Sequence, residues 1–213
     1  MSDSSFNFNG FLQETKDVLV SPKSYFSTMK TTGGLGDPII KALIYGAAAG
    51  IIGYIWYLLD FGGGMIGGAV GIMILVWAVI GAVIGLFIGA VITLVISAIC
   101  KGSTVFETNA RVTASLMAIM PVSALFGFVD KLSITGGTIV SLIITLYSLY
   151  MLYHGLIEAL KAKPGTVKIL VIILAALIAL IMLLGIGAKK KANQFMEEFN
   201  KSDFKELLDE TQK

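Results

Sequence analysis

From Met65 to Cys100 the chain runs 36 residues without a charged side chain, and water cannot solvate such a stretch. As one α-helix it would be about 54 Å long, whereas a bilayer's hydrocarbon core is about 30 Å thick and is crossed by about 20 residues. The run therefore does not read as one simple span. Either residues 65–79 form a short re-entrant or interfacial segment leading into a span at 80–100, or two short helices cross back to back. The first is preferred, because a loopless hairpin would leave backbone groups unpaired in hydrocarbon.

The rest of the chain fits a membrane protein as well. Hydrophobic residues make up 56% and charged residues 14%, against about 25% charged in ordinary soluble domains. The charges gather before Ile39, after Ala188, or in short clusters between apolar runs. The pattern predicts a polar N-terminal region (1–38), a membrane domain (39–188) and a charged amphipathic tail (189–213). A net charge of +2, with no basic stripe interleaved with aromatics, argues against nucleic acid as a partner. The single cysteine, Cys100, gives no disulfide or metal-cluster signal. Because the first 30 residues lack a compact apolar core, the first span is expected to be retained without cleavage.

Individual spans follow from length and punctuation. Residues 39–59 form the first, ending at Asp60-Phe61-Gly62-Gly63-Gly64, where consecutive glycines favour a turn. After 80–100 comes 112–129, short and kinked at Pro121. The fourth runs over 136–160 and the fifth over 169–188, stopping at Lys189-Lys190-Lys191. The fold class is thus all-α integral membrane: about five transmembrane helices, a re-entrant or interfacial helix at 65–79, and amphipathic helices at both ends. Lys and Arg near span ends are retained in the cytoplasm, which favours a cytoplasmic N-terminus but conflicts with a lysine-rich tail after five spans. Four or six spans would return that tail to the cytoplasm, so parity stays open.

Glycine is frequent, at 24 residues, and recurs every four positions: Gly46 and Gly50; Gly67 and Gly71; Gly81, Gly85 and Gly89. Residues four apart share a helix face, and small residues there let helices approach closely within a membrane. These are the candidate helix-packing positions. Gly62 to Gly64, with Gly67 and Gly68, do not read as a phosphate loop, since no Lys-Ser/Thr ending follows and no strand precedes.

One polar cluster falls inside a span. His154, the only histidine, lies beside Tyr150 and Tyr153, with Glu158 one helical turn on, and groups at i and i+4 face each other. Such a pair could relay protons. A metal needs three or four ligands, which no other span supplies. The cluster also reads as an aromatic belt, with Glu158 meeting Lys161 or Lys163 near water. Ser97, Ser115, Ser123 and Ser141 lack a partnering base and read as helix residues bonded back to their own backbone. No catalytic centre, cofactor site or metal site is expected.

Both ends carry apolar residues among polar ones. Phe6, Phe8, Phe11, Leu12, Val18 and Leu19 precede Ser21-Pro22 and suggest a segment lying on the membrane surface. Phe195, Met196, Phe199, Phe204, Leu207 and Leu208 suggest an amphipathic tail helix, broken near 200–202.

The entry segment Val18-Leu19-Val20-Ser21-Pro22-Lys23-Ser24-Tyr25-Phe26 resembles the "L-x-x-P-x-x-x-F" pattern of the Yip-domain family, named after proteins that interact with Rab-type GTPases. Phe106-Glu107-Thr108-Asn109-Ala110-Arg111-Val112-Thr113-Ala114-Ser115, followed by Pro121, is similar to that family's polar approach to its third span. Tyr150-Met151-Leu152-Tyr153-His154-Gly155-Leu156, with Lys161-Ala162 beyond, resembles its aromatic fourth span and exit. The resemblance implies five spans, a cytoplasmic N-terminus, no enzymatic activity and a role in membrane traffic or assembly of membrane complexes. With 38 residues before the first span, where eukaryotic members carry longer regions, the chain looks more like the compact prokaryotic members, and the resemblance implies a prokaryotic cell membrane.

The expected function is a non-enzymatic scaffold or assembly factor that lives in the lipid bilayer and forms homo- or hetero-oligomers with membrane proteins. The alternative is a small transporter or channel using the fourth span.

Overall fold

A backbone inside hydrocarbon finds no water to bond to, so each crossing must close its own hydrogen bonds as a helix. The structure, a computed structural model, describes the backbone over residues 7–59 and 68–211 and the side chains over 7–59, 73–187 and 191. Five helical stretches there are long and apolar enough to cross a membrane: Gly36–Leu58, Met73–Ile99, Phe106–Leu132, Ile134–Ala159 and Pro164–Gly187. In chain order the helices are α1 (Phe8–Val20), α2 (Pro22–Thr28), α3 (Gly36–Leu58), α4 (Gly68–Ile99), α5 (Phe106–Leu116), α6 (Ile119–Leu125), α7 (Val129–Leu132), α8 (Ile134–His154) and α9 (Pro164–Thr211), with a π-helical turn at Gly155–Ala159. Five crossings put the N-terminal helices and the tail at opposite ends of the bundle.

Over residues 68–79 the segment expected to turn back into the membrane instead continues as helix. Helix α4 is continuous over 32 residues, about 48 Å at 1.5 Å per residue, and a span longer than the hydrocarbon core is accommodated by tilt. The reason is tertiary, since α3 packs along the part of α4 read as re-entrant. A methyl group on Gly46 would stand 2.6 Å from Ala82 Cβ and 3.0 Å from the Ala78 carbonyl, and one on Gly50 would stand 3.1 Å from Leu75 Cα. Met65 and Gly67 lie outside the described residues, and Gly71 is described only as backbone within α4.

The third span starts earlier than expected and breaks in a different place. It comprises α5, α6 and α7, and the first interruption falls at Met117 and Ala118 rather than at Pro121 itself. Pro121 lacks the N–H that would reach the Met117 carbonyl. That carbonyl instead accepts from Met120 N at 2.9 Å, while Ala118 N turns to Ser115 O at 3.2 Å. Both bonds are of the tighter i to i−3 kind, so the proline sits in the first turn of a new helix. At the far end Trp56 Nε1 donates to the Ala124 carbonyl at 3.0 Å, and its ring meets Phe128 at 4.8 Å.

Helix α8 also begins earlier, where Ser133 caps it by accepting from Gly136 N at 3.1 Å. It ends as α-helix at His154 and continues as the π turn. There Leu160 N bonds Gly155 O at 3.1 Å and Ala162 N bonds Leu156 O at 2.9 Å. Helix α9 starts at Pro164, five residues before the expected Ile169, and runs through Thr211 without the break expected near 200–202. Side chains of that tail, including Phe195 to Leu208, lie outside the described residues.

Most mid-span residues are exposed or half-buried, as lipid-bathed helices allow, and no residue in the apolar window of α9 is buried. The densest core instead lies at the end of the bundle covered by α1 and α2. Phe11, Val18, Phe26, Tyr45, Val112, Met151, Leu156 and Val167 pack together there. The N-terminal segment read as lying on the membrane surface therefore turns Phe11 and Val18 onto protein, leaving Phe8 and Leu12 exposed. Phe6 lies outside the described residues.

Candidate functional site

Ionisable groups are costly in a membrane protein's interior and mark places where the fold has a specific task. Two cations, Lys41 on α3 and Arg111 on α5, are buried at the end of the bundle beneath α1 and α2. Lys41 Nζ lies 2.7 Å from Glu14 of α1 and 3.3 Å from Asp37 of its own helix. Arg111 reaches the same Asp37 oxygen at 3.4 Å and Glu107 at 3.5 Å. Its Nη2 donates to Gly34 O at 2.9 Å, and Gly34 N in turn donates to Glu107 at 2.6 Å. A planar guanidinium with several fixed donors suits this task of gripping both carboxylates and carbonyls.

The turn that Arg111 grips requires glycine. Gly33 and Gly34 adopt φ of 125° and 84°, conformations that residues with a Cβ rarely hold. A Cβ on Gly33 would also stand 2.9 Å from Arg111 Nη2. Backbone shape and buried charge are thus matched across 77 residues of sequence.

Hydroxyl groups extend the cluster. Tyr25 of α2 shares a 2.9 Å bond with Ser115 of α5, and Thr15 of α1 shares a 2.8 Å bond with Tyr45 of α3. Tyr147 of α8 donates to the carbonyl of Leu19. Burial raises the Tyr25 phenol above its ordinary pKa, partly opposed by the Lys41 charge and the Ser115 bond. Thus α1 and α2 are held by one ion pair and three hydroxyl contacts in addition to their apolar face.

A second knot joins the loop after α4 to the loop after the π turn. Ser103 N donates to Leu160 O at 2.7 Å and Lys163 N to Cys100 O at 2.9 Å. Ser97 Oγ and Asn109 Nδ2 both donate to Ser103 O, at 2.8 and 3.0 Å. Lys101 and Lys161 hold φ of 59° and 56°, a left-handed cap geometry usually given to glycine. Burial pushes the Cys100 thiol above its ordinary pKa.

The residues singled out from sequence separate into distinct settings. Gly46 and Gly50 lie against α4, and Gly89 lies against α5, where a Cβ would meet Thr113 Cγ2 at 2.8 Å. Gly81 and Gly85 have open space where a Cβ would be. Four residues advance 40° past a full turn, so Gly89 has rotated about 80° from Gly81 and looks elsewhere. His154 is buried edge-on against Tyr150 at 4.7 Å and Tyr153 at 5.2 Å. Its Nδ1 has no hydrogen-bond partner among the described residues. Glu158 is half-buried, and no ion pair joins it to Lys161 or Lys163 among the described residues.

Comparison with known families decides the affiliation, since the sequence profile of the Yip1 domain matches residues 16–186. The chain belongs to the Yip1 domain family. The match opens inside α1 and closes at the end of the fifth span, so the Yip1 domain contains the whole charge cluster except Glu14. No curated protein and no solved structure matches the chain. Of the hub residues of this Yip1 domain, Arg111 stood in the sequence within the approach to the third span, and Lys41 drew no separate reading inside the first. Their partners are distant in sequence, and only Asp37 with Lys41 and Glu107 with Arg111 show the local i, i+4 spacing that could have signalled them.

Proposed function

We propose that this multi-pass membrane protein is a non-enzymatic scaffold or assembly factor that associates with itself or with other membrane proteins through its helices. The observation that carries this reading is how the buried and half-buried polar side chains of the cluster are used. Lys41, Arg111, Thr15, Tyr25 and Ser115 each bridge separate elements, which rigidifies a cap rather than preparing a reacting group. Meanwhile Gly81 and Gly85 leave a smooth strip on α4 that another helix could approach.

The N-terminal end is assigned to the cytoplasm. Lys16, Lys23, Lys30, Lys101, Lys161, Lys163 and Lys168 lie at that end of the bundle, the distribution expected of an inward face.

The test is Gly85→Leu. The open space at Gly85 lets the protomer keep its fold, so its melting temperature should stay unchanged while lysine crosslinking and detergent-resistant assembly fall. Undiminished assembly in a correctly folded variant would remove this face from the proposal.

A further inference from the structure

We propose that the pocket between α2 and α8 binds the headgroup of an anionic phospholipid, with Lys23 on its phosphate and the acyl chains running down α8. The pocket is an open depression with a volume of about 480 Å³. Its polar lining consists of Lys23, three serines (Ser21, Ser24, Ser27) and Tyr150, without a carboxylate.

The chemistry of this lining is that of a donor set awaiting an acceptor. Lys23 forms no ion pair, and the hydroxyls of Ser21, Ser24 and Tyr150 have no hydrogen-bond partner among the described residues. Ser27 already donates, to Ser24 O at 2.8 Å. Both buried cations of the neighbouring cluster are matched by acids, whereas Lys23, exposed at the pocket, has no acid within ion-pair distance among the described residues. One ammonium with several hydroxyls suits a phosphodiester of single negative charge whose head is uncharged and hydroxylated. A choline head would place a second cation beside Lys23.

A lipid, rather than a soluble phosphate, is selected by what adjoins the pocket. Val20 on its rim is 70% exposed. From Tyr150 an exposed apolar stripe descends α8 through Leu146, Ile143 and Ile139, spaced by four, three and four residues so that they share a face. The headgroup site is therefore continuous with the hydrocarbon-facing side of a spanning helix.

The full chain in mild detergent, titrated by native mass spectrometry with phosphatidylglycerol, with phosphatidylcholine of the same acyl chains, and with glycerol 3-phosphate, separates the cases. Wild type should take its first phosphatidylglycerol about fivefold to tenfold more tightly than phosphatidylcholine, the worth of one charge-assisted contact near a membrane surface. Lys23→Gln should abolish that preference and Lys23→Arg retain it. Equal preference in Lys23→Gln would overturn the proposal, as would glycerol 3-phosphate binding as tightly as the lipid. Should Lys23→Gln fail to fold, amine acetylation of the wild type decides. Adding phosphatidylglycerol to phosphatidylcholine vesicles should slow acetylation at Lys23 more than at Lys30, and equal slowing at both would refute the site.

Discussion

At the scale of single residues, the same amino acid does opposite things on one helix pair. Gly46 is enclosed, with Ala82 Cβ 2.6 Å and the Ala78 carbonyl 3.0 Å from where its Cβ would be, while Gly81 faces open space. Overpacking a close contact typically costs about 1–3 kcal/mol, and the obstacle here includes backbone that cannot swing aside. Gly46→Ala should lower the melting temperature measured in detergent, whereas Gly81→Ala should leave it unchanged or slightly raised through better helix propensity. Equal effects at the two positions would contradict the α3–α4 packing. Arg111 makes the complementary point for charge, because a lysine there could not hold Asp37, Glu107 and Gly34 O at once.

At the scale of elements, α1 is an amphipathic helix whose docking depends on a few polar contacts. Glu14 is half-exposed while Lys41 is buried, so the pair is worth more than a surface bridge and less than a fully buried one. Loss of about 1 kcal/mol in docking multiplies the undocked population about fivefold. Glu14→Gln should accordingly speed trypsin cleavage after Lys16 by about that factor, provided opening is fast relative to cleavage. Cleavage at the wild-type rate would show that the apolar face of Phe11 and Val18 holds α1 unaided. The amphipathic character of α1 was legible from its residue pattern, but the surface it covers was not. Headgroups and a protein cap attract the same face, and only α3 and α8 supplied Tyr45 and Tyr147 to meet it.

For the whole molecule, the decisive quantity is the number of crossings. A continuous α4 and a third span assembled from α5, α6 and α7 make five, which sets the lysine-rich tail across the membrane from α1. Epitope tags at the two termini should be cleaved by protease in opposite vesicle orientations. Cleavage of both tags in the same sealed vesicles would rule out five crossings. The lysines at 189–191 then lie across the membrane from those gathered at the α1 end, so the proposed cytoplasmic N-terminus rests on the latter outweighing the former.

Membrane residence and the first, fourth and fifth spans were determined by the sequence alone, because exclusion of charge from hydrocarbon acts on each stretch of about 20 residues independently of its neighbours. Affiliation was legible too, through the entry segment around Pro22 and the approach from Phe106 to Ser115. Three features were decided only in three dimensions. Residues 65–79 carry no charge or proline to show whether they turn or continue, and over 68–79 α3 resolved this by laying Gly46 and Gly50 along Leu75 and Ala78. The break near Pro121 moved to Met117 because the freed carbonyl found a tighter local donor. Arg111 and Lys41 became a hub because Gly34 and Glu14 are brought to them from elsewhere in the chain. Pairing of buried charge is a property of juxtaposed elements, and linear spacing shows only its local fragments.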